Sequence, residues 1–157
     1  SVEGGNIFIT ILGIICGAIV LHLIDIFTPH LHGFENNLEE IDIIKKGRAL
    51  RYDERFLTYK GCNVNFVQEI AEKNLKIQTY ERGVEDLTLA CGTGICAAAL
   101  TYSVKKGLES SNHTINICAQ GGNLQVEFEK KENNTFNNVH LIGEAKKERL
   151  NKKCTRA

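Results

Sequence analysis

The stretch Thr79–Leu100, TYERGVEDLTLACGTGICAAAL, decides how this chain is read. It sets one cysteine on a glycine turn at the start of an apolar helix. Gly92 and Gly94 are expected to let the backbone turn tightly and approach a ligand. From Ile95 to Val104 few residues are polar, and Lys105, Lys106 and Gly107 supply a basic last turn and a glycine stop. Cys91 is therefore expected where unpaired N–H groups and the positive end of the helix dipole attract an anion and suit a thiolate. The plainer alternative is a buried structural cysteine in a tight turn.

Outward from that stretch, composition narrows the field. A chain of 157 residues is about one domain, able to bury roughly two-thirds of its unfolded surface. Lys plus Arg and Asp plus Glu both number 19, so no overall field draws a polyanion, and nucleic acid is not an expected partner. Cys16, Cys62, Cys91, Cys96, Cys118 and Cys154 form no CxxC pair, which reads as reduced thiols in the cytoplasm. His30 and His32 form a lone HxH without nearby ligands of suitable spacing, so no metal is expected.

The run Ile7–Ile24, IFITILGIICGAIVLHLI, is just long enough to be a candidate membrane span. If it spans, Lys45, Lys46, Arg48 and Arg51 on its C-terminal side would keep the rest of the chain in the cytoplasm. The alternatives are a buried core segment or sequence foreign to the fold. From Asn37 the chain reads as an α+β domain. A short helix is expected from Asn37 to about Gly47, with Leu38, Ile41 and Ile44 at helical spacing. Asn63–Ile70 and Leu75–Tyr80 alternate apolar and polar residues as half-buried strands joined in a hairpin through Glu72, Lys73 and Asn74. After the apolar helix, Thr114–Ala119 and Leu124–Glu129 flank a Gln120-Gly121-Gly122-Asn123 turn, and a last strand is expected near Val139–Ile142. The helix is apolar enough to require burial on most sides.

Asn63-Val64-Asn65-Phe66-Val67, Tyr80-Glu81-Arg82-Gly83 and Ala90-Cys91-Gly92-Thr93-Gly94, in this order and spacing, resemble the C-terminal half of diaminopimelate epimerase. The resemblance covers roughly residues 34–145. It implies one epimerase-type domain, an antiparallel or mixed barrel-like sheet wrapped around a central apolar helix. An apolar segment (1–33) would precede the domain (34–145), and a charged tail (146–157) would follow it. It implies a cofactor-independent isomerase of lysine biosynthesis that inverts the α-carbon of diaminopimelate between two thiol acid/bases. Carried over by motif, Cys91 would be one acid/base, Glu81 would set its protonation, and Asn63, Arg82, Gly92 and Thr93 would bind the substrate. His30 can be matched to a histidine of the family.

Several features depart from the family pattern. The family's other thiol lies in an N-terminal domain whose Cys-Gly-Asn-Gly-type motif this sequence lacks. Phe27-Thr28-Pro29-His30 stands for a glycine-containing turn, Leu87 for a glutamate, and Gly143-Glu144-Ala145 for Gly-Pro-Ala. The chain is therefore expected to be a partial epimerase whose second thiol comes from a missing domain, in cis or in trans. The competing expectation is an inactive remnant, at most a ligand-binding or membrane-tethered interaction domain. The related phenazine-pathway isomerases fit less well, because Cys91 is present.

Overall fold

The computed structural model describes residues 30–143. Its centre is the hairpin of β2 (Asn63–Ala71) and β3 (Asn74–Glu81), in antiparallel register from Val64 opposite Tyr80 to Ala71 opposite Asn74. The turn closes through Lys73 in a left-handed conformation, φ 57°. Asn74 therefore belongs to the strand rather than to the link.

Around the hairpin, β1 (His30–Phe34), β4 (Asp86–Thr88), β5 (Asn112–Ala119), β6 (Gly122–Lys130) and β7 (Phe136–Gly143) complete one seven-stranded mixed sheet. The order is β1-β2-β3-β5-β6-β7, with β4 paired to β3. Two α-helices join parallel neighbours: α1 (Ile43–Arg51) between β1 and β2, and α2 (Gly92–Lys105) between β3 and β5. Both connections step in the same direction across the sheet, but β3 runs opposite to β2. Right-handed crossovers then require the two helices to lie on opposite faces, because the second parallel pair points the other way.

The side chains record that arrangement. Val64, Phe66 and Tyr80 turn to one face and pack with Leu38, Ile43 and Cys62 on the α1 side. Val67, Leu75 and Ile77 turn to the other, against Ile95, Ala98, Ala99 and Tyr102 of α2. Burying Ile95 and Tyr102 contributes roughly 1.5–3 kcal/mol each, and the two alanines keep the helix close to the strands. On the α1 side, Gly47 serves close approach: a Cβ there would lie 2.7 Å from Cβ and Cγ of the buried Tyr80.

The structure corrects several sequence expectations. The helix expected from Asn37 to Gly47 is two pieces. Asn37 caps a 3-10 turn at Leu38–Glu40, Ile41 is extended, and Asp42 caps α1 by accepting the Lys45 N–H at 3.0 Å. β2 does not alternate in burial, because its first five residues have a helix over each face and are all buried. The sheet is open, with no pairing between β1 and β7 among the described residues. α2 is consequently buried along one stripe, while Thr101 and Val104 face outward. Residues 30–33, assigned from sequence to the apolar N-terminal segment, form β1 and pair with Asn63–Phe66. Among the described residues no helix is long and apolar enough to cross a membrane. Ile7–Ile24 and the tail 146–157 lie outside the described residues.

Candidate functional site

The inner face of the sheet, toward α2, changes character along the strands. His30 pairs with Asn63, His32 with Asn65, and Asn65 with Thr79. With a side-chain period of two, His30, His32, Asn63, Asn65, Thr79 and Glu81 therefore share one face. Beyond them the same face turns apolar at Phe34, Val67 and Ile77 and supports the body of α2. The helix N-terminus lies over the polar end: His32 Nε2 is 3.2 Å from the Gly94 carbonyl oxygen, and His30 Nε2 is 3.1 Å from Thr93 Oγ1.

Cys91 is the N-cap of α2. Its backbone is extended (φ −114°, ψ 106°), its carbonyl accepts the Ile95 N–H at 2.9 Å, and its side chain makes no capping hydrogen bond. The half-buried thiol lies 3.6 Å from Thr93 Oγ1. The N–H groups of Gly92, Thr93 and Gly94 open the helix without intrahelical acceptors, a geometry suited to a carboxylate. Cys62 presents a contrast. It is fully buried, its Sγ donates to the Leu50 carbonyl at 3.7 Å, and burial pushes its thiol pKa up.

The two glycines of the cysteine motif work differently from expectation. Both are helical, and neither has a positive φ. Gly94 makes room for a side chain: a Cβ there would lie 2.5 Å from Asn65 Oδ1. At Gly92 a Cβ would only touch Leu141 Cδ2 at 3.4 Å.

Asn63, Glu81 and Arg82 meet where β3 ends. Asn63 Oδ1 accepts the Arg82 backbone N–H at 2.8 Å, and Arg82 Nη1 donates to the Tyr59 carbonyl at 2.6 Å. The Glu81 carbonyl accepts the Glu85 N–H at 2.9 Å, closing a turn through Gly83 at φ +92°. The Glu81 and Arg82 side chains are half-buried. The structure thus joins His30, Thr93 and Cys91 in one hydrogen-bonded row, and Asn63 with Arg82 in a second. A cavity of about 540 Å3 lies elsewhere, lined by Asn74, Asn116, Cys118 and Gln125 among others and by none of these residues. Among the described residues no group of three His, Cys, Asp or Glu is placed to hold a metal ion.

Three residues of this layer were not singled out for the site from sequence: His32, Asn65 and Thr79. Burial holds the His32 pKa below the ordinary imidazole value, against the opposing hydrogen bond to Gly94. Asn65 and Thr79 are buried, and the Thr79 hydroxyl donates to Asn65 Oδ1 at 2.8 Å. The available signal was a polar residue at an inward position of each strand, two residues from apolar Val67 and Ile77.

An open mixed sheet carries a half-buried thiol at the N-cap position of its inner helix, beside a hydroxyl and an imidazole. Comparison with known proteins gives that arrangement a family. The sequence model for diaminopimelate epimerase matches residues 23–148. The diaminopimelate epimerase of Flavobacterium psychrophilum is 42% identical over 118 residues, covering 75% of this chain and 44% of that protein. That of Chlorobaculum tepidum is 37% identical over 134 residues, covering 85% of this chain and 50% of that protein. That of Aquifex aeolicus is 45% identical over 101 residues, covering 64% and 35%. The chain belongs to the diaminopimelate epimerase family, a family of amino-acid isomerases. It spans between a third and a half of the length of these relatives.

Proposed function

We propose that this chain is the C-terminal part of a diaminopimelate epimerase and supplies one of the two thiols that invert the α-carbon. The observation that carries this reading is the placement of Cys91: a half-buried thiol at the N-cap of α2, with Thr93 and His30 in line behind it. In the proposed reaction the α-carboxylate sits on the N–H groups of Gly92, Thr93 and Gly94, which brings the adjacent α-carbon to the sulfur. The Cys91 thiolate takes the α-proton from one face, and a thiol on the opposite face returns a proton to the carbanion. In the reverse direction the Cys91 thiol is the donor. The charge lost from sulfur as the proton arrives appears on the α-carbon, where the helix N-terminus offsets it.

Asn63 and Arg82 would bind the polar ends of the substrate, and Glu81 would adjust the protonation of Cys91. No second thiol of the family's N-terminal type is present in this sequence, so that group must come from a further domain. The reaction is proposed to run in the cytoplasm, with no bound cofactor.

The test is solvent exchange. The chain is incubated with diaminopimelate in deuterated water, alone and with a separately expressed N-terminal half of a matching epimerase. Deuterium is expected at the α-carbon only in the mixture, lost in Cys91→Ala and kept in Cys96→Ala. Exchange in neither condition overturns the proposal and favours an inactive, at most ligand-binding, domain.

A further inference from the structure

We infer that Asn65 and Thr79 are positioning residues: they fix which ring nitrogen of His30 carries the proton, and so aim the Thr93 hydroxyl at Cys91. The inference deepens the isomerase reading and takes its catalytic meaning from it. The geometry is a row of four contacts. Thr79 Oγ1 donates to Asn65 Oδ1 at 2.8 Å, Asn65 Nδ2 lies 3.4 Å from His30 Nδ1, His30 Nε2 lies 3.1 Å from Thr93 Oγ1, and Thr93 Oγ1 lies 3.6 Å from Cys91 Sγ.

Each contact sets the direction of the next. With the Thr79 hydroxyl donating to Oδ1, the end of the amide facing His30 is the NH2 group, which can only donate. The ring nitrogen that receives it, Nδ1, carries no proton. Neutral His30 therefore holds its proton on Nε2 and donates to the Thr93 oxygen. Thr93 keeps its own proton to give, and the Cys91 sulfur is within reach. A hydroxyl donating to sulfur supports the atom as a proton acceptor and holds it in place.

The amide is not free to turn over. Asn65 is fully buried and Thr79 nearly so. The amide is also wedged against α2 so closely that a Cβ on Gly94 would lie 2.5 Å from its Oδ1. A reversed amide would present its carbonyl to His30, move the ring proton to Nδ1 and make Nε2 an acceptor. Thr93 would then donate to His30 rather than to the sulfur, and the whole row would point away from Cys91.

The test reads the ring directly and needs no substrate. In the chain with 15N-labelled histidine at pH 8, two-bond proton–nitrogen correlations identify the protonated nitrogen of His30. His32, whose Nε2 faces the Gly94 carbonyl, serves as an internal reference. The wild type and Thr79→Ser, which keeps the hydroxyl, are expected to carry the proton on Nε2. Thr79→Val is expected to populate the Nδ1 form. Alkylation of Cys91, followed by peptide mass spectrometry, should slow about fivefold in Thr79→Val, the worth of one net hydrogen bond, and recover in Thr79→Ser. A wild-type His30 protonated on Nδ1 overturns the inference even if no variant folds, and so does an unchanged ring pattern in Thr79→Val. The ring pattern is independent of turnover. A chain that passes this test and fails the deuterium exchange therefore refutes the isomerase reading alone.

Discussion

Replacing Gly94 by alanine tests the packing on which the site rests. At an exposed helical position this change is favourable by roughly 0.5–1 kcal/mol, because glycine loses more backbone freedom on folding. Here the added methyl would lie 2.5 Å from Asn65 Oδ1 and 3.1 Å from its Cγ and Nδ2, with the first contact nearly an ångström inside ordinary van der Waals distance. Asn65 is fully buried and tied to Thr79 at 2.8 Å, so it cannot retreat without breaking that bond. Overpacking costs about 1–3 kcal/mol and the lost hydrogen bond about 1 kcal/mol more. After the helix-propensity gain, the net loss is about 1–3 kcal/mol. For a chain of this size that lowers Tm by about 3–10 °C, measurable by circular dichroism. In an Asn65→Ala background the clash is gone, and the same substitution should be neutral or stabilising by up to about 1 kcal/mol. The double-mutant cycle should then show about 2–3 kcal/mol of coupling. A Gly94→Ala chain that melts higher than wild type, or a cycle without coupling, refutes the reasoning.

Other perturbations have equally defined outcomes. Gly61→Ala should cost at least about 3 kcal/mol by urea denaturation. Gly61 has φ +94°, and a Cβ there would overlap the guanidinium of buried Arg51, which is held by Glu85 at 3.1 Å and the Lys60 carbonyl at 2.7 Å. An unchanged midpoint would show that Arg51 is not needed in that pocket. His32 has a folded pKa lowered by burial. Its unfolded form therefore binds the proton more readily, and stability should fall as pH drops below about 6.5. His32→Gln should flatten that part of a Tm-against-pH curve, and an equal slope in both proteins would count against the assignment. Tyr102→Phe removes the donor to Glu69 at 2.8 Å and the acceptor of the Lys73 N–H at 3.1 Å, costing about 1–2 kcal/mol. Lys106, then Tyr102, hold the Glu69 carboxyl below its ordinary range. The stability this supplies is present above about pH 4.3 and lost as pH falls through the lowered folded value. The Phe variant should lose less on acidification.

Much of the sheet was legible because its strands carry their own period. The β2–β3 and β5–β6 hairpins follow from alternation on either side of Lys73 and of the Gln120–Gly121 turn. β1 was not legible, since HLHGF has no apolar alternation and its pairing is parallel, with a partner more than thirty residues away. β4 is three residues long and leaves no period to read. The uniform burial of β2 depends on a second helix covering its outer face, which is a tertiary fact. The position of Cys91 at a helix start was readable from the glycines and the apolar run that follows. The direction of the hydrogen bonds behind it was not, because Asn65 and Thr79 reach His30 only through sheet register.

The two faces of the sheet also differ in how much of the chain each one needs. Every member of the α1-side core falls between Leu31 and Leu87, whereas the α2-side core draws on residues from Phe34 to Phe136. A nascent polypeptide emerging from the ribosome as far as Leu87 thus holds all it requires for the first core, while Val67, Leu75 and Ile77 still lie bare to water. The α2 helix and the cysteine at its N-cap are then the late arrivals, docking onto a platform already half built.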